Sequence, residues 1–337
     1  MRPNLIALLL TSAAFLFVVG SQSSQANDSA AELSVGGLTL TKSADVSIES
    51  EELTITPDLV TVRYVFRNNA ANPVNLTVAF PLPDIDLSEA ENFAIPSNDS
   101  ANFVGFQTKI DGKPANLTIY QRAVLGTKDV TATLRGLNVP LLPIGPQQLR
   151  LTELPQAVRD RLLEEGLLTQ SGTDDRGRPL YDASWTVKTS AVRQQTFAPN
   201  RPITVEHRYH PSVGVSFDTV LRKGLRQNKG MEQEVGRYRN DYCIQPDFLA
   251  SVDKLAGGAE ANMGKLQERR ISYRLKTGAN WAGPIKDFKL VVDRMKPERL
   301  VSFCAPNMKP TSPTAIEASA KDFTPDKDLK ILIVGRF

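Results

Sequence analysis

Few side chains in this 337-residue chain are equipped for chemistry. It has two histidines and two cysteines. His207 and His210 sit in the run VEHRYHP. Three apart on a strand, they point to opposite faces. Cys243 and Cys304 are too far apart in sequence to make a zinc knuckle, so a Cys₂His₂ site built from all four is not expected, and no metal ligand or cofactor is assigned to these residues. His207 reads as a partly buried strand residue and His210 as an exposed one. The remaining chemistry is acidic. The stretch PDIDLSEAEN places Asp84, Asp86, Glu89 and Glu91 on one turn, the oxygen-rich setting that hard cations use. It departs from the calcium-loop pattern, with Glu89 where glycine is needed and Ile95 where glutamate is needed. The four acids are therefore a candidate cation- or partner-binding loop, with a plain solvated loop as the alternative. Two of them could form a glycosidase pair, but spacing in sequence does not fix their separation. There is no G-x-S-x-G elbow, Walker loop, dinucleotide glycine fingerprint, H-E-x-x-H helix or C-x-x-C pair. No catalytic residue is assigned, and an enzyme is not the expected reading.

The elements that must position these groups are mostly strands. In VTVRYVFRN, Val60, Val62, Tyr64 and Phe66 alternate with Thr61, Arg63, Val65 and Arg67, the period of a half-buried strand. Asn68, Asn69, Asn72 and Pro73 supply turn chemistry, and VNLTVAF alternates again before Pro81 and Pro83. The two runs read as an antiparallel hairpin whose prolines aim the acidic loop outward. FVGFQTKIDGKPANLTIYQ reads as a second hairpin turning at Asp111-Gly112. Short alternating runs continue to the final LKILIVGRF, which reads as a soluble core strand although Gly335 stands where an apolar residue belongs. One segment differs. TELPQAVRDRLLEEGLL has Thr152 as an N-cap, helical spacing of Leu154, Val158 and Leu162, and a stop at Gly166 with Leu167 packing back. The polar run TQSGTDDRGRP after it reads as a loop. A second irregular region, 221–266, is rich in Gly, Lys, Arg and Glu and suits short helices. Trp185 and Trp281 read as buried.

The expected fold class is mainly β: two β-sandwich-like units with a helical insertion in the first. The expected segments are a signal peptide over 1–26, an N-terminal sandwich over 27–220 with the insertion at about 137–178, and a C-terminal β-rich unit over 221–337. The leader reading rests on the basic start Met1-Arg2, the apolar run from Leu5 to Gly20, and small Ser24 and Ala26 at the cleavage positions. Cleavage near Ala26 would place the protein in the periplasm or outside the cell, with no later apolar stretch long enough to span a bilayer as a helix. In that compartment Cys243 and Cys304 pair most simply as a disulfide. It would close a loop of about 60 residues and contribute about 3–4 kcal/mol; two buried free thiols are the alternative. Residues 27–111 carry 13 acidic and 4 basic side chains, and residues 112–337 carry 24 acidic and 35 basic. Such a gradient suits two faces attracting each other, or a basic surface for an anionic polymer. Nucleic acid is not expected outside the cytoplasm.

With these residues in view, the chain resembles an exported bacterial family known as domain of unknown function 4424. The resemblance runs through NDSAAEL, GGLTLTKSADVSIESEELTIT, VRYVFRN, VAFPLPDI, GTKDVTATLRGLNVPL, VEHRYHPSVG and KTGANWAGPIKDFKLVVD. It implies an exported location and no activity, and carries no catalytic residues. A further likeness, to the β-domain of vault and inter-α-trypsin inhibitor proteins, runs through Asn68, Phe80 to Pro83, Ile110 to Gly112 and Pro199 to Tyr209. It implies protein-interaction roles, and this chain departs from it by the helical insertion and by lacking a D-x-S-x-S motif. The function expected is a non-catalytic exported interaction or scaffolding module whose partner is an envelope protein or anionic polymer. Two rivals stand beside it. One is a hydrolase using carboxylates or His207; the other is a small-ligand binder between the β-units, which a large apolar pocket at their junction would support.

Overall fold

The computed structural model describes residues 29–34, 37–88, 93–143, 149–257 and 266–337. The leader expected over 1–26, and Glu89 and Glu91, lie outside them. In chain order the strands are β1 (Ser29–Ser34), β2 (Gly37–Thr41), β3 (Val46–Ile55), β4 (Val60–Asn68), β5 (Val74–Pro81), β6 (Ile85–Asp86), β7 (Phe93–Ala94), β8 (Gln107–Ile110), β9 (Lys113–Pro114), β10 (Thr118–Leu125) and β11 (Lys128–Asp129). They continue as β12 (Leu168–Thr173), β13 (Pro179–Ala183), β14 (Thr186–Phe197), β15 (Pro202–Tyr209), β16 (Val213–Ser216), β17 (Gln267–Tyr273), β18 (Ile285–Asp293), β19 (Leu300–Phe303), β20 (Lys309–Pro310), β21 (Ala315–Phe323) and β22 (Leu329–Gly335). The helices are α1 (Thr131–Gly136), α2 (Leu149–Glu153), α3 (Gln156–Glu164), α4 (Lys223–Arg226), α5 (Glu232–Tyr242) and α6 (Pro246–Ala256).

The protein is mainly β, built from several sheets. A seven-stranded sheet runs β11-β10-β14-β5-β1-β2 with β6 beside β14. An eight-stranded sheet runs β20-β21-β18-β3-β4-β15-β8-β9, and a five-stranded sheet runs β19-β22-β17-β16-β7. Alternation decides which residues go inward: along β4, every second residue from Val60 to Asn68 is buried. The inner face of the eight-stranded sheet meets both other sheets. Phe66 of β4 packs on Phe197 of β14, and Tyr64 of β4 shares a 2.9 Å hydroxyl hydrogen bond with Tyr273 of β17. The five-stranded sheet is covered on both sides. On β22, Leu329, Ile331 and Ile333 enter the central core, while Leu332 and Val334 enter a second cluster with Val235, Tyr238, Tyr242 and Val252 of α5 and α6. Helix α5 is clamped to that sheet by a buried network: the Tyr238 hydroxyl donates to Glu268 Oε2 at 2.8 Å, and Arg270 Nη1 donates to the same oxygen at 2.9 Å. Burial pushes the Glu268 carboxyl up, against the pull of these donors.

The stretch 60–80 is not a hairpin. β4 pairs with β3 and β15 in the eight-stranded sheet, whereas β5 pairs with β14 and β1 in the seven-stranded one. The chain crosses between sheets at Asn68, which is buried. Its Oδ1 accepts the Ala70 N–H at 2.8 Å, and its Nδ2 donates to the carbonyls of Asn72 and Phe197, both at 2.9 Å. Those bonds satisfy the corner's backbone and tie it to the end of β14, so turn-forming asparagines served a corner instead of a tight loop. The Asp111-Gly112 turn does close a hairpin, β8 to β9, with both residues at positive φ as that turn type requires. Beyond it β10 leaves for the seven-stranded sheet.

The insertion holds α2, α3 and a hairpin, with α1 just before it. Thr152 is not an N-cap: it lies inside α2, and α3 starts after Pro155. Pro155 sits at the cap position with its φ fixed by the ring, no side chain caps the helix, and the Pro155 carbonyl accepts the N–H groups of Val158 and Arg159. The helix stop is as read. Gly166 takes φ +68°, its N–H donates to the Leu163 carbonyl, and the Leu167 N–H donates to that of Leu162 at 2.8 Å. The polar run after it forms the hairpin β12–β13, turned by Asp174, whose Oδ1 accepts the N–H groups of Arg176 and Arg178, both at 2.9 Å. A strand pattern was not visible there because the hairpin is mostly exposed and buries little. The boundary placed near 220 falls between β16 and α4. The eight-stranded sheet nevertheless takes β3, β4, β8, β9 and β15 from one side of it and β18, β20 and β21 from the other, joined by the parallel pair β3–β18. Both edges of that sheet end in two-residue Lys-Pro strands, β9 and β20. Proline cannot donate to a further strand and lysine resists dehydration, so strand addition is discouraged at each edge.

Candidate functional site

The structure separates the acidic residues singled out above. Asp84 is engaged by the protein's own cations: Arg274 Nη2 lies 2.7 Å from Oδ1 and Lys188 Nζ 3.5 Å from Oδ2. Asp86 closes a local turn, its Oδ1 accepting from the Ser88 N–H at 3.0 Å and the Ser88 hydroxyl at 2.7 Å. Pro81 belongs to β5, and the chain after Pro83 turns back to place β6 beside β14. Among the described residues no three or more His, Cys, Asp or Glu side chains gather as metal ligands. His207 is buried in β15 at 2% exposure. Its Nδ1 shares a 2.8 Å hydrogen bond with the Thr108 hydroxyl, and its ring packs on Phe80 and Phe106, both at 5.0 Å. It backs a groove of about 430 Å³ on the outer face of the eight-stranded sheet. Both carboxylates lining the groove flank one cation there, with Arg63 between Glu52 at 3.9 Å and Glu206 at 3.7 Å. His210 is exposed, with its Nδ1 2.7 Å from the Asp58 carbonyl oxygen.

Cys243 and Cys304 form the disulfide. Cys243 ends α5 in the left-handed conformation, φ 52°. Cys304 follows β19, the strand beside β22. The α5 terminus is held to the sheet by two more links: the Ser302 hydroxyl donates to the Tyr242 carbonyl at 2.8 Å, and Lys330 Nζ pairs with Asp241 Oδ2 at 2.8 Å. Together these links make one wall of a cleft of about 580 Å³. It lies where the end of α5 and the start of β22 approach β18 and the end of β21.

The floor of the cleft is apolar. Phe288 and Leu290 of β18 and Leu329 of β22 present side chains set by strand alternation, and Leu275 follows β17. Phe288 and Phe323 stack with ring centroids 4.6 Å apart and planes inclined by 27°. The rim is charged, with Lys276, Lys327 and Lys330 facing Asp241, Asp326 and Asp328. Asp328 is half-buried, and its Oδ1 accepts the Lys276 backbone N–H at 3.2 Å. Burial pushes its carboxyl above the usual carboxylate range, and the Asp84 charge adds to that push. The Lys276 N–H and the charges of Arg274 and Lys276 act in the opposite direction. Asp84 thus reaches this site indirectly, through Arg274 and the field at Asp328. An apolar floor of this size under convergent charges of both signs is suited to holding a small amphiphile.

Sequence reading brought one pair of residues to this place, Cys243 and Cys304. It missed Lys276, Phe288, Phe323 and Asp328. The alternation of DFKLVVD marked Phe288 and Leu290 as inward-facing, but nothing in it distinguished a core position from a cleft floor. No helix among the described residues is long and apolar enough to cross a membrane.

Comparison with known proteins matches residues 26–332 to the family profile described as "Domain of unknown function (DUF4424)". No curated protein matches the sequence. Among solved structures, the chain aligns with a candidate nutrient-binding protein from Legionella pneumophila at 11% identity and a TM-score of 0.41, over 92% of this chain and 70% of that one. It aligns with an M1 zinc metallopeptidase from Deinococcus radiodurans at 8% identity and a TM-score of 0.26, over 88% of this chain and 43% of the enzyme. At these scores the likenesses carry no functional argument.

Proposed function

We propose that this chain, which belongs to the DUF4424 family, is an exported, non-catalytic binding module whose ligand seat is the cleft beside Cys243–Cys304. The observation that carries the reading is the cleft itself: about 580 Å³, floored by the stacked Phe288 and Phe323 and rimmed by charged groups that include the half-buried Asp328. Export is supported by the basic and apolar N-terminal run and by the disulfide, which belongs in an oxidising compartment. Scaffolding by strand addition is disfavoured at the eight-stranded sheet, both of whose edges close in Lys-Pro. The hydrolase reading asks His207 to act as a base, yet its ring is packed among Phe80, Phe106 and Tyr64.

The test is occupancy of the cleft. The uncharged apolar fluorophore N-phenyl-1-naphthylamine is expected to bind the folded protein saturably at one site. Ala305, on the cleft wall and only partly exposed, offers room to block it. Ala305→Trp should abolish that binding while leaving the melting transition in place. Unchanged binding in Ala305→Trp, or none in the wild type, would overturn the reading.

A further inference from the structure

We infer that the cleft takes a zwitterionic ligand of amino-acid type, with an apolar side chain on the Phe288–Phe323 floor, its ammonium group against Asp328 and its carboxylate against Lys276. The inference rests on the reading of the cleft as a ligand seat and adds the chemical class. Of the six charged groups on the rim, Lys330 and Asp241 are spent on each other at 2.8 Å. Lys276, Lys327, Asp326 and Asp328 make no ion pair within 4.0 Å among the described residues, so two charges of each sign remain for a ligand.

The balance of signs selects the class. A ligand lying on the floor displaces water from Asp328, which is already half-buried and holds one protein donor on Oδ1, the Lys276 N–H. Stripping further water from a carboxylate without supplying a cation is costly. A plain fatty-acid anion would bring a second negative charge to Asp326 and Asp328. A plain amine would pair with the carboxylates and leave Lys276 and Lys327 without a counter-charge. An ammonium and a carboxylate on one molecule answer both sets, and the aromatic floor takes an apolar side chain. The volume accommodates a free amino acid or a short peptide, which share this chemistry.

Calorimetric titration separates the class from its sources and from the parent reading. The probes are L-phenylalanine, the dipeptide leucyl-phenylalanine, N-acetyl-phenylalanine, phenylalaninamide and decanoate. At least one of the two zwitterions is expected to bind, and to lose roughly ten- to hundredfold in affinity when either charge is capped, the worth of one charged hydrogen-bonded contact. Tighter binding of the dipeptide than of the amino acid would identify peptides as the source; the reverse order would identify free amino acids. Asp328→Asn should weaken the zwitterion without weakening the anion N-acetyl-phenylalanine, which loses a like-charged neighbour; Lys276→Gln should weaken the zwitterion without weakening the cation phenylalaninamide, for the same reason. The inference is overturned if decanoate or a capped analogue binds as well as the zwitterions, or if neither zwitterion binds. In those cases fluorophore binding that Ala305→Trp blocks would leave the cleft reading intact, whereas its absence would remove both.

Discussion

A carboxyl group half out of water answers to its neighbours as much as to the bulk, and Asp328 is such a group. Burial raises its affinity for a proton above that of a solvated aspartate. Between the unfolded and folded values the folded state holds more proton, so stability falls as pH rises from about 4 through the folded value and is level above it. Asp328→Asn keeps an acceptor for the Lys276 N–H and removes the titration. The variant is expected to melt at or above the wild-type temperature near pH 8, with the difference closing towards about pH 4. A variant less stable than wild type near pH 8 would show that Arg274 and Lys276 outweigh burial. At this scale little of the site was legible. Cys243 and Cys304 could be paired from the sequence because the leader expected over 1–26 pointed to an oxidising compartment, where an even pair of cysteines joins most simply. TPDKDLKI, which supplies Asp326 and Asp328, reads like any charged turn. What makes Asp328 unusual is its burial in a cleft that it shares with Leu275 and Phe288, more than thirty residues away in the chain.

At the scale of the element, β22 shows how a strand can be central and still carry a glycine. A Cβ on Gly335 would lie 2.8 Å from Arg299 Cγ and 3.3 Å from Arg299 Cα. Arg299 is itself held, its guanidinium 4.2 Å from the Phe337 ring centroid and the residue buried. The missing apolar residue in LKILIVGRF therefore marks a close approach of β22 to the segment before β19. Gly335→Ala is expected to cost about 1–3 kcal/mol through overpacking, measured as a shift in the urea midpoint at unchanged slope. A neutral result would mean that Arg299 can move aside without loss. Strand existence was legible where burial on one face imposes a period of two, as in β4, and not in the exposed hairpin β12–β13. Partnership was not. The runs flanking Asn68–Pro73 have the alternation and turn residues of a hairpin, yet each strand finds its neighbours in a different sheet, because the side-chain bonds of Asn68 to Asn72 and Phe197 stabilise a corner.

Across the whole molecule, the disulfide closes a loop that contains α6, β17 and β18 and strands of two sheets. Its removal should act mostly by enlarging the unfolded ensemble. Cys243→Ser together with Cys304→Ser is expected to lower unfolding free energy by about 4 kcal/mol, the chain-entropy value for a loop of this length, read from denaturant unfolding. A loss below about 1 kcal/mol would indicate that Ser302–Tyr242 and Lys330–Asp241 already hold the α5 terminus without the covalent link.

By itself the sequence determined the material of this protein: strands of period two, a helical insertion stopped at Gly166, two cysteines suited to one bridge, and a family resemblance that nearly spans the chain. These are local properties, set by backbone sterics, side-chain alternation and composition, and neighbours in the chain suffice to express them. Only the tertiary structure decided that β4 and β5 part company at Asn68, that β3 pairs in parallel with β18, that Asp84 is taken by Arg274, and that Phe288, Phe323 and Asp328 line one cleft beside the disulfide. Each of those depends on which surfaces exclude water from each other, and side-chain alternation is the same whichever partner a strand meets.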